Sequence, residues 1–109
     1  MADRVCVKFS QSAYDDLRGI LDRYSSGYSS KQVPMVGMQL VAEILARVDQ
    51  LTMFPDSGRV VPEFEVPSLR ELKHPPFRIV YRHAECAVTI VRVWRSERPM
   101  DSMPEDAGI

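Results

Sequence analysis

The chain opens with an alternation of apolar and polar side chains over residues 4–9. Val5, Val7 and Phe9 share one face of this segment when it is extended, and the residues between them fall on the other face. A period of two over six residues is the pattern of a half-buried β-strand. We therefore predict that the fold begins with a strand.

The next segment changes to a period of three to four, which is typical of one face of an α-helix. Ser10 or Ser12 is placed to cap this helix, and Asp15 and Asp16 suit the positive end of its dipole. The buried stripe is predicted to contain Ala13, Leu17, Ile20, Leu21 and Tyr24.

A second helical pattern follows a serine-rich break at residues 25–30. It begins near Val33, where Pro34 fits the first turn, and it ends after Phe54, because Pro55 cannot continue a helix. Its buried stripe is predicted to contain Leu40, Val41, Ile44, Leu45, Val48 and Leu51. Two helices joined by a short loop make an antiparallel hairpin, whose apolar side needs a sheet to cover.

From residue 59 onward the period of two returns. Extended segments are predicted at residues 59–61, 68–73, 77–82 and 88–95. Pro62 and Pro67 restrict the first of these to an edge or a bulged path. We expect residues 74–76 to form an extended break and residues 83–87 to connect a hairpin.

Strict alternation assigns the strand side chains to faces. In the second extended segment, Leu69 and Glu71 are expected to lie opposite Arg70 and Leu72. In the last segment, the side chains expected to share one face are Val88, Ile90, Arg92 and Trp94.

This order of elements predicts an α+β fold: an N-terminal strand, a helical hairpin, then a three- to four-stranded, mostly antiparallel sheet. A length of 109 residues suits one domain, which we place at residues 1–98. Residues 99–109 are acidic and without periodicity, so we expect a flexible tail. The sheet face away from the helices must be covered by another segment or remain open.

Charge is unevenly distributed along the chain. The formal net charge is −1, but residues 59–98 carry +3 and the remainder carries −4. Six arginines fall between residues 70 and 98, which is more than a stable sheet requires. A basic region on a nearly neutral protein favours a local anionic partner over indiscriminate binding of nucleic acid.

Several other classes of protein are disfavoured. No signal peptide and no apolar run of membrane-spanning length is visible, so we expect a cytoplasmic protein without a membrane partner. Cys6 and Cys86 are expected to be reduced thiols. His74 and His83 do not lie at ligand spacing from a cysteine, so neither a metal site nor a cofactor is predicted.

Five stretches occur in a recognisable order: VKFSQSAYDDLRGILDRY, FPDSGRVVPEF, LREL, PPFRIVYR and VTIVRVWRSER. Their order and spacing resemble the ParE/RelE superfamily of toxins from type II toxin–antitoxin systems, from about Val5 to Arg98. The resemblance implies a small bacterial, cytoplasmic toxin. Its neutralising partner would be an antitoxin whose disordered C-terminal segment folds around it, and operator DNA would be reached only through that antitoxin.

The superfamily contains two activities, of which the RelE-like one is cleavage of mRNA on the ribosome without a metal. Attack of a 2′-hydroxyl on the neighbouring phosphate needs a base, an acid and cations. The resemblance then assigns the catalytic candidates: Glu63 as base, Arg70 and Arg78 at the phosphate, and Arg95 after the last strand. Nuclease relatives usually carry histidine or tyrosine at that last position, and an arginine is a poor proton donor.

ParE-like members instead block DNA gyrase, and the departure at Arg95 favours that activity here. The candidates for contact with the target or the antitoxin are Arg59, Arg82, Arg92, Trp94 and Arg98. The leading hypothesis is therefore a gyrase inhibitor bound by a cognate antitoxin. The alternatives are a ribosome-dependent mRNA endonuclease and an inactive toxin-like scaffold.

A purely structural interpretation of these residues also stays open. Glu63 is then a solvated loop carboxylate paired with Arg59. The strand arginines Arg78, Arg82 and Arg92 then decorate a strand face or bind acidic residues across the sheet.

Overall fold

Helical and alternating segments form the kinds of element that their patterns predict. The computed structural model describes residues 5–23 and 33–95. The elements are β1 (Cys6–Phe9), α1 (Gln11–Arg23), α2 (Val33–Asp49), β2 (Arg59–Val60), β3 (Leu69–His74), β4 (Phe77–Ala84) and β5 (Ala87–Arg95). The predicted α+β class is confirmed, whereas the predicted loop at residues 25–30 and tail at residues 99–109 lie outside the described residues.

The five strands form one sheet in the order β1-β5-β4-β3-β2. Strands β2 to β5 pair antiparallel with their neighbours, and β1 pairs parallel with β5. A parallel pair cannot be joined by a tight turn, and here the chain between β1 and β5 contains both helices and the other three strands. Strand β5 therefore lies between the first strand of the chain and β4.

The two helices pack on one face of the sheet, as predicted. Ser10 is the residue that caps α1, because its Oγ accepts a hydrogen bond from the Ala13 amide at 3.0 Å and donates one to the Val91 carbonyl at 2.8 Å. The helix-covered core contains Ala13, Leu17, Ile20, Ile44, Val48, Leu51, Leu72, Phe77, Ile79, Tyr81, Val88, Ile90 and Val93.

The second helix departs from its prediction in two ways. It ends at Asp49 and continues as a short 3₁₀ helix over Gln50–Thr52, whereas the pattern predicted helix to Phe54. Leu45 was predicted to be buried but is exposed, because the stripe that meets the sheet is centred on Ile44 and Val48. Within the described ranges, neither helix is long and apolar enough to cross a membrane.

Both hairpin connections are turns of two residues. Strands β3 and β4 are joined by Pro75 and Pro76, whose shared peptide bond is cis, so the predicted extended break is a two-residue turn and His74 ends β3. Strands β4 and β5 are joined by Glu85 and Cys86 alone, with Glu85 at a φ of 57°. Neither turn contains the glycine or asparagine by which a sequence pattern identifies a tight turn.

A β-bulge breaks the predicted alternation of β5. The register moves from Tyr81 opposite Ile90 to Val80 opposite Arg92, so Val91 is the extra residue. Val93 consequently joins Ile90 in the helix-covered core, and Trp94 joins the cluster on the other face. The prediction that Trp94 shares a face with Ile90 is therefore wrong.

Residues 61–68, which we name the strap, cover the second face of the sheet. The strap lies between β2 and β3 and is anchored by a hydrogen bond from the Val61 amide to the Leu69 carbonyl at 3.0 Å. Its apolar side chains Phe64 and Val66 pack on a small buried cluster. That cluster contains Val61, Leu69, Val80, Val91 and Trp94.

Candidate functional site

Four charged side chains converge on the strap-covered face, and we name Arg59, Glu63, Glu71 and Arg78 the charged cluster. Arg59 of β2 lies directly opposite Glu71 of β3. Arg78 projects from the neighbouring strand β4, and Glu63 belongs to the strap. Strand pairing thus positions three members, and the strap supplies the fourth.

Arg78 binds both carboxylates of the cluster. Its Nη1 and Nη2 atoms donate to the two Glu63 oxygens at 2.9 Å each, and its Nε donates to Glu71 Oε1 at 2.6 Å. Arg59 Nε donates to the other oxygen of Glu71. Bidentate contacts between planar guanidinium and carboxylate groups are strong and directional, so the cluster is internally matched in charge and geometry.

The cluster has a buried half and an exposed half. The side chain of Glu71 is 0% exposed and that of Arg78 is 9% exposed, whereas Glu63 is 37% and Arg59 is 53% exposed. A buried ion pair needs its hydrogen-bonding capacity filled, because both charges have lost their hydration. Glu71 and Arg78 therefore form the fixed centre, and Glu63 and Arg59 form its solvent-facing rim.

Ion pairing changes the acid–base properties of this site. The hydrogen bonds from Arg78 hold the pKa of Glu63 below its ordinary value of 4.5, against the opposing effect of partial burial. The same contact with Glu63 raises the pKa of Arg78. A carboxylate with a lowered pKa is a weaker base, and a guanidinium with a raised pKa is a still poorer acid.

An open cavity of about 430 Å³ adjoins the cluster. Its lining consists of Arg59, Glu63, Lys73, Pro75, Pro76 and Arg78. Lys73 of β3 lies directly opposite Arg78 of β4 in the strand register. In residues 5–23 and 33–95, no group of three histidine, cysteine, aspartate or glutamate side chains could hold a metal ion.

Arg70 is separated from this cavity, because it neighbours Glu71 in β3 and so points to the other side of the sheet. Its Nη1 donates to the Gly58 carbonyl at 2.9 Å, and its Nε lies 3.6 Å from Asp56 Oδ1. The same Asp56 oxygen lies 2.8 Å from His83 Nδ1. The structure therefore does not bring Arg70 and Arg78 to one phosphate position.

Arg92 lies in the second half of β5 and binds helix α1. Its Nε and Nη2 atoms donate to the two oxygens of Asp16 at 2.7 and 2.8 Å, and its guanidinium lies 4.7 Å from the Trp94 ring centroid. Asp16 also accepts a hydrogen bond from the Val93 amide at 2.9 Å. These contacts join α1 to the part of β5 that follows Ile90, which is the last residue of β5 paired with β1.

The remaining predicted arginines occupy other places. Arg82 of β4 lies opposite Leu69 and Thr89, and Arg95 ends β5 opposite Phe77. Both residues have interaction partners. Arg98 lies outside the described residues. In the strand register Arg59, Arg82 and Arg92 thus pair with residues of the strap-covered face, but of these three only Arg59 belongs to the charged cluster.

Sequence reasoning missed Glu71 as a member of the site. The available indication was its predicted face, because Glu71 alternates with Arg70 and so shares a side with the apolar Leu69. A carboxylate on an apolar face needs a cationic partner. Asp16 was also missed, because the sequence assigned it with Asp15 to the first turn of α1. That turn contains no acidic residue, and Asp16 binds Arg92 instead.

Comparison with known proteins identifies a family that matches most of the chain. A family model described as the ParE toxin of a type II toxin–antitoxin system, parDE, matches residues 7–100. No curated protein matches the chain.

Two solved structures resemble it. One, described as the chromosomal ParDE toxin–antitoxin system from P. aeruginosa, has 27% sequence identity and a TM-score of 0.70, with 86% of this chain and 98% of that chain covered. The other, the toxin–antitoxin complex RelBE2 from Mycobacterium tuberculosis, has 19% identity and a TM-score of 0.59, with 84% and 98% covered. The second similarity supports the fold alone.

Proposed function

Because the chain belongs to the ParE toxin family of type II toxin–antitoxin systems, we propose that it inhibits DNA gyrase and is neutralised by a cognate antitoxin. The observation that carries the proposal is the match to the ParE family over residues 7–100. The structural similarity to a ParDE system at 27% identity supports the same assignment. Since gyrase acts on DNA inside the bacterial cell, the proposed place of action is the cytoplasm.

The charged cluster supports binding over RNA cleavage. A nuclease of the RelE kind needs a base for the 2′-proton and a group that protonates the leaving oxygen. Glu63 is held by two hydrogen bonds from Arg78 and has a lowered pKa. Arg70 is directed away from that pair, towards Gly58. Among the described residues, Glu63 is thus a poor base at neutral pH, and Arg70 is not placed to stabilise a phosphate beside Arg78.

Exposed apolar side chains on the helical side support a protein partner. Met38 and Leu45 of α2 are exposed, as are Met53 and Phe54 just after the 3₁₀ helix. Large apolar side chains on a surface favour contact with another protein. An antitoxin segment that folds on binding can cover such a surface and bury a large area.

A supercoiling assay tests the proposed target directly. Purified protein is added to gyrase, relaxed plasmid and ATP, and the topoisomers are separated on a gel. We expect loss of supercoiling that depends on toxin concentration and is reversed by the antitoxin. Heat-denatured protein is the control, and unchanged supercoiling at excess toxin contradicts gyrase as the target.

Induced expression in bacteria separates the alternatives. We expect activation of the DNA-damage response while incorporation of labelled methionine continues. Rapid loss of incorporation with cut transcripts supports the endonuclease, and normal growth supports an inactive scaffold. Glu63→Ala is expected to remain toxic, and a folded Glu63→Ala protein without toxicity would favour the endonuclease.

A further inference from the structure

Three cationic side chains line the cavity beside the charged cluster. Lys73 and Arg78 lie directly opposite each other in the β3–β4 register, and Arg59 lines the same cavity. Like charges directly opposite across two strands destabilise a sheet. Among the described residues, no carboxylate forms an ion pair with Lys73. Binding of an additional anion in this cavity is therefore electrostatically favourable.

The two carboxylates that balance these cations differ in how firmly they are held. Glu71 belongs to β3, is fully buried, and accepts hydrogen bonds from both Arg59 and Arg78. Glu63 belongs to the irregular strap, is 37% exposed, and within the described part of the chain forms its side-chain ion pair with Arg78. Removing Glu71 would leave two guanidiniums without their shared partner, whereas Glu63 can rotate into solvent. Glu63 is thus the carboxylate that another anion can replace on Arg78.

We propose that this cavity binds a carboxylate of an acidic protein segment, which takes the place of Glu63 on Arg78. Arg59 and Lys73 flank the incoming carboxylate, and Glu63 acts as the internal ligand that fills the position in the free protein. The inference deepens the proposed function, on which it rests for the identity of the partner, because it names the chemistry by which an antitoxin is recognised here.

A carboxylate fits this site better than a nucleic-acid backbone. The group already bound to Arg78 is a carboxylate in the bidentate geometry that suits a planar guanidinium. With Glu63 displaced, Arg59, Lys73 and Arg78 stand against Glu71 alone, which leaves a local charge of +2. A phosphate chain needs a track of cations, whereas this cavity is bordered by Pro75 and Pro76.

The chain carries its own reporter for this exchange. Trp94 is the single tryptophan of the sequence and lies directly opposite Arg78 in the β4–β5 register. Its ring also contacts the guanidinium of Arg92. Displacement of Glu63 beside Arg78 changes the charge distribution near this indole, so tryptophan fluorescence follows binding.

The test is a fluorescence titration at low salt with three probes: a terminally blocked hexaglutamate peptide, a thymidine oligonucleotide of equal charge, and inorganic phosphate. The proteins are wild type, Glu63→Gln, Lys73→Gln, and two matched controls. Glu85→Gln changes an exposed glutamate of the β4–β5 turn. Lys8→Gln changes an exposed lysine of β1, which is the edge strand opposite β2. Thermal unfolding establishes that each variant is folded.

Glu63→Gln is expected to bind hexaglutamate about tenfold more tightly than wild type, because it removes the internal competitor and a like charge. Lys73→Gln is expected to weaken binding by about threefold, since one exposed cation contributes little in water. Because Lys73 is exposed, this variant tests the site even if Glu63→Gln is unstable. Equal affinity of Glu63→Gln and wild type, or tighter binding of the oligonucleotide than of the peptide, would overturn the inference.

The same variants separate this inference from the proposed function. If the antitoxin binds wild type but Lys73→Gln and Glu63→Gln leave its affinity unchanged, the carboxylate site is wrong and the toxin–antitoxin assignment stands. If the protein fails to inhibit gyrase, the peptide titration still decides whether the site binds carboxylates.

Discussion

The two faces of the sheet are covered in contrasting ways. One face is packed by two helices over a large core that is almost entirely apolar. The other is covered by the strap over a small cluster centred on Val80 and Val91, beside two buried charges, Glu71 and Arg78. Burial of apolar surface is the dominant stabilising contribution in a domain, so most of the stability should come from the helical face.

This contrast suggests why the polar site lies under the strap. Burying charged groups costs free energy that a small apolar cluster cannot supply alone. The stability of the helix-covered core offsets this cost. The strap-covered face can therefore carry charged groups that bind a partner. The following predictions test whether stability and binding are divided between the faces in this way.

The largest expected effect comes from truncating the helix-covered core at Ile90, whose side chain is fully buried. Ile90→Ala is expected to lower the free energy of unfolding by about 2–5 kcal/mol, near the upper end because the site is central. Val91→Ala, at the adjacent fully buried residue of the strap-covered cluster, is expected to cost about 2 kcal/mol. Urea unfolding of both variants measures the difference, and equal losses would break the distinction between the faces.

The next effect concerns the buried charge under the strap. Glu71→Ala leaves Arg78 buried with only Glu63 as a partner, and we expect a loss of about 3 kcal/mol. Arg59→Ala removes the half-exposed partner of the same carboxylate and is the matched control, with an expected loss below about 1 kcal/mol. Urea unfolding at neutral pH measures both losses. A small effect of Glu71→Ala would mean that the charged cluster is not part of the fold.

The helix-covered face was largely predictable from sequence. Its stripes repeat at helical spacing, and Ala13, Leu17, Ile44 and Val48 are buried as their spacing predicts. What failed was detail that periodicity does not contain. The bulge at Val91 changes which face the later residues of β5 occupy, and no local residue preference marks it.

The strap-covered face was much less predictable. Residues 61–68 contain Pro62 and Pro67 and have no period, so their role as the cover of a sheet face depends on tertiary contacts. Glu63 was identified as a candidate, but its bond to Arg78 instead of Arg59 follows from how the strap folds over β4. Side chains brought together from separate segments cannot be paired from spacing alone.

An intermediate effect is expected at Gly58, which immediately precedes β2 and lies against Glu71 and Tyr81. A Cβ atom here would lie 2.5 Å from the Glu71 carbonyl oxygen and 2.7 Å from Tyr81 Oη, which accepts a hydrogen bond from the Gly58 amide. Gly58→Ala is therefore expected to cost about 1–3 kcal/mol through overpacking.

Gly19→Ala in α1 is the matched control for this substitution. An added Cβ meets nothing within 4 Å there, so we expect a gain of about 0.5–1 kcal/mol from helix propensity. Thermal and urea unfolding measure both changes. A stable Gly58→Ala protein would show that β2 and the strap can shift without cost.

The smallest expected effect is the acid sensitivity of the rim of the charged cluster. Arg78 holds the pKa of Glu63 below 4.5 in the folded protein. A lowered folded pKa stabilises the protein above the unfolded value, and this contribution disappears as the pH falls below about 4.5 through the folded pKa. Because Glu63 is partly exposed, wild type should exceed Glu63→Gln by less than about 1 kcal/mol at pH 7.

Unfolding of wild type and Glu63→Gln from pH 7 to pH 3 measures this difference, since the other carboxylates are common to both proteins. The gap should close as the pH falls below 4.5, and 1 M salt should narrow it at pH 7, because screening weakens an exposed ion pair. A gap that changes with neither pH nor salt would show that Glu63 supports the strap by packing instead of charge. Glu63 would then be a fixed part of the fold. The contrast between a rigid helix-covered face and an exchangeable strap would then fail at Glu63, the residue on which the exchange depends.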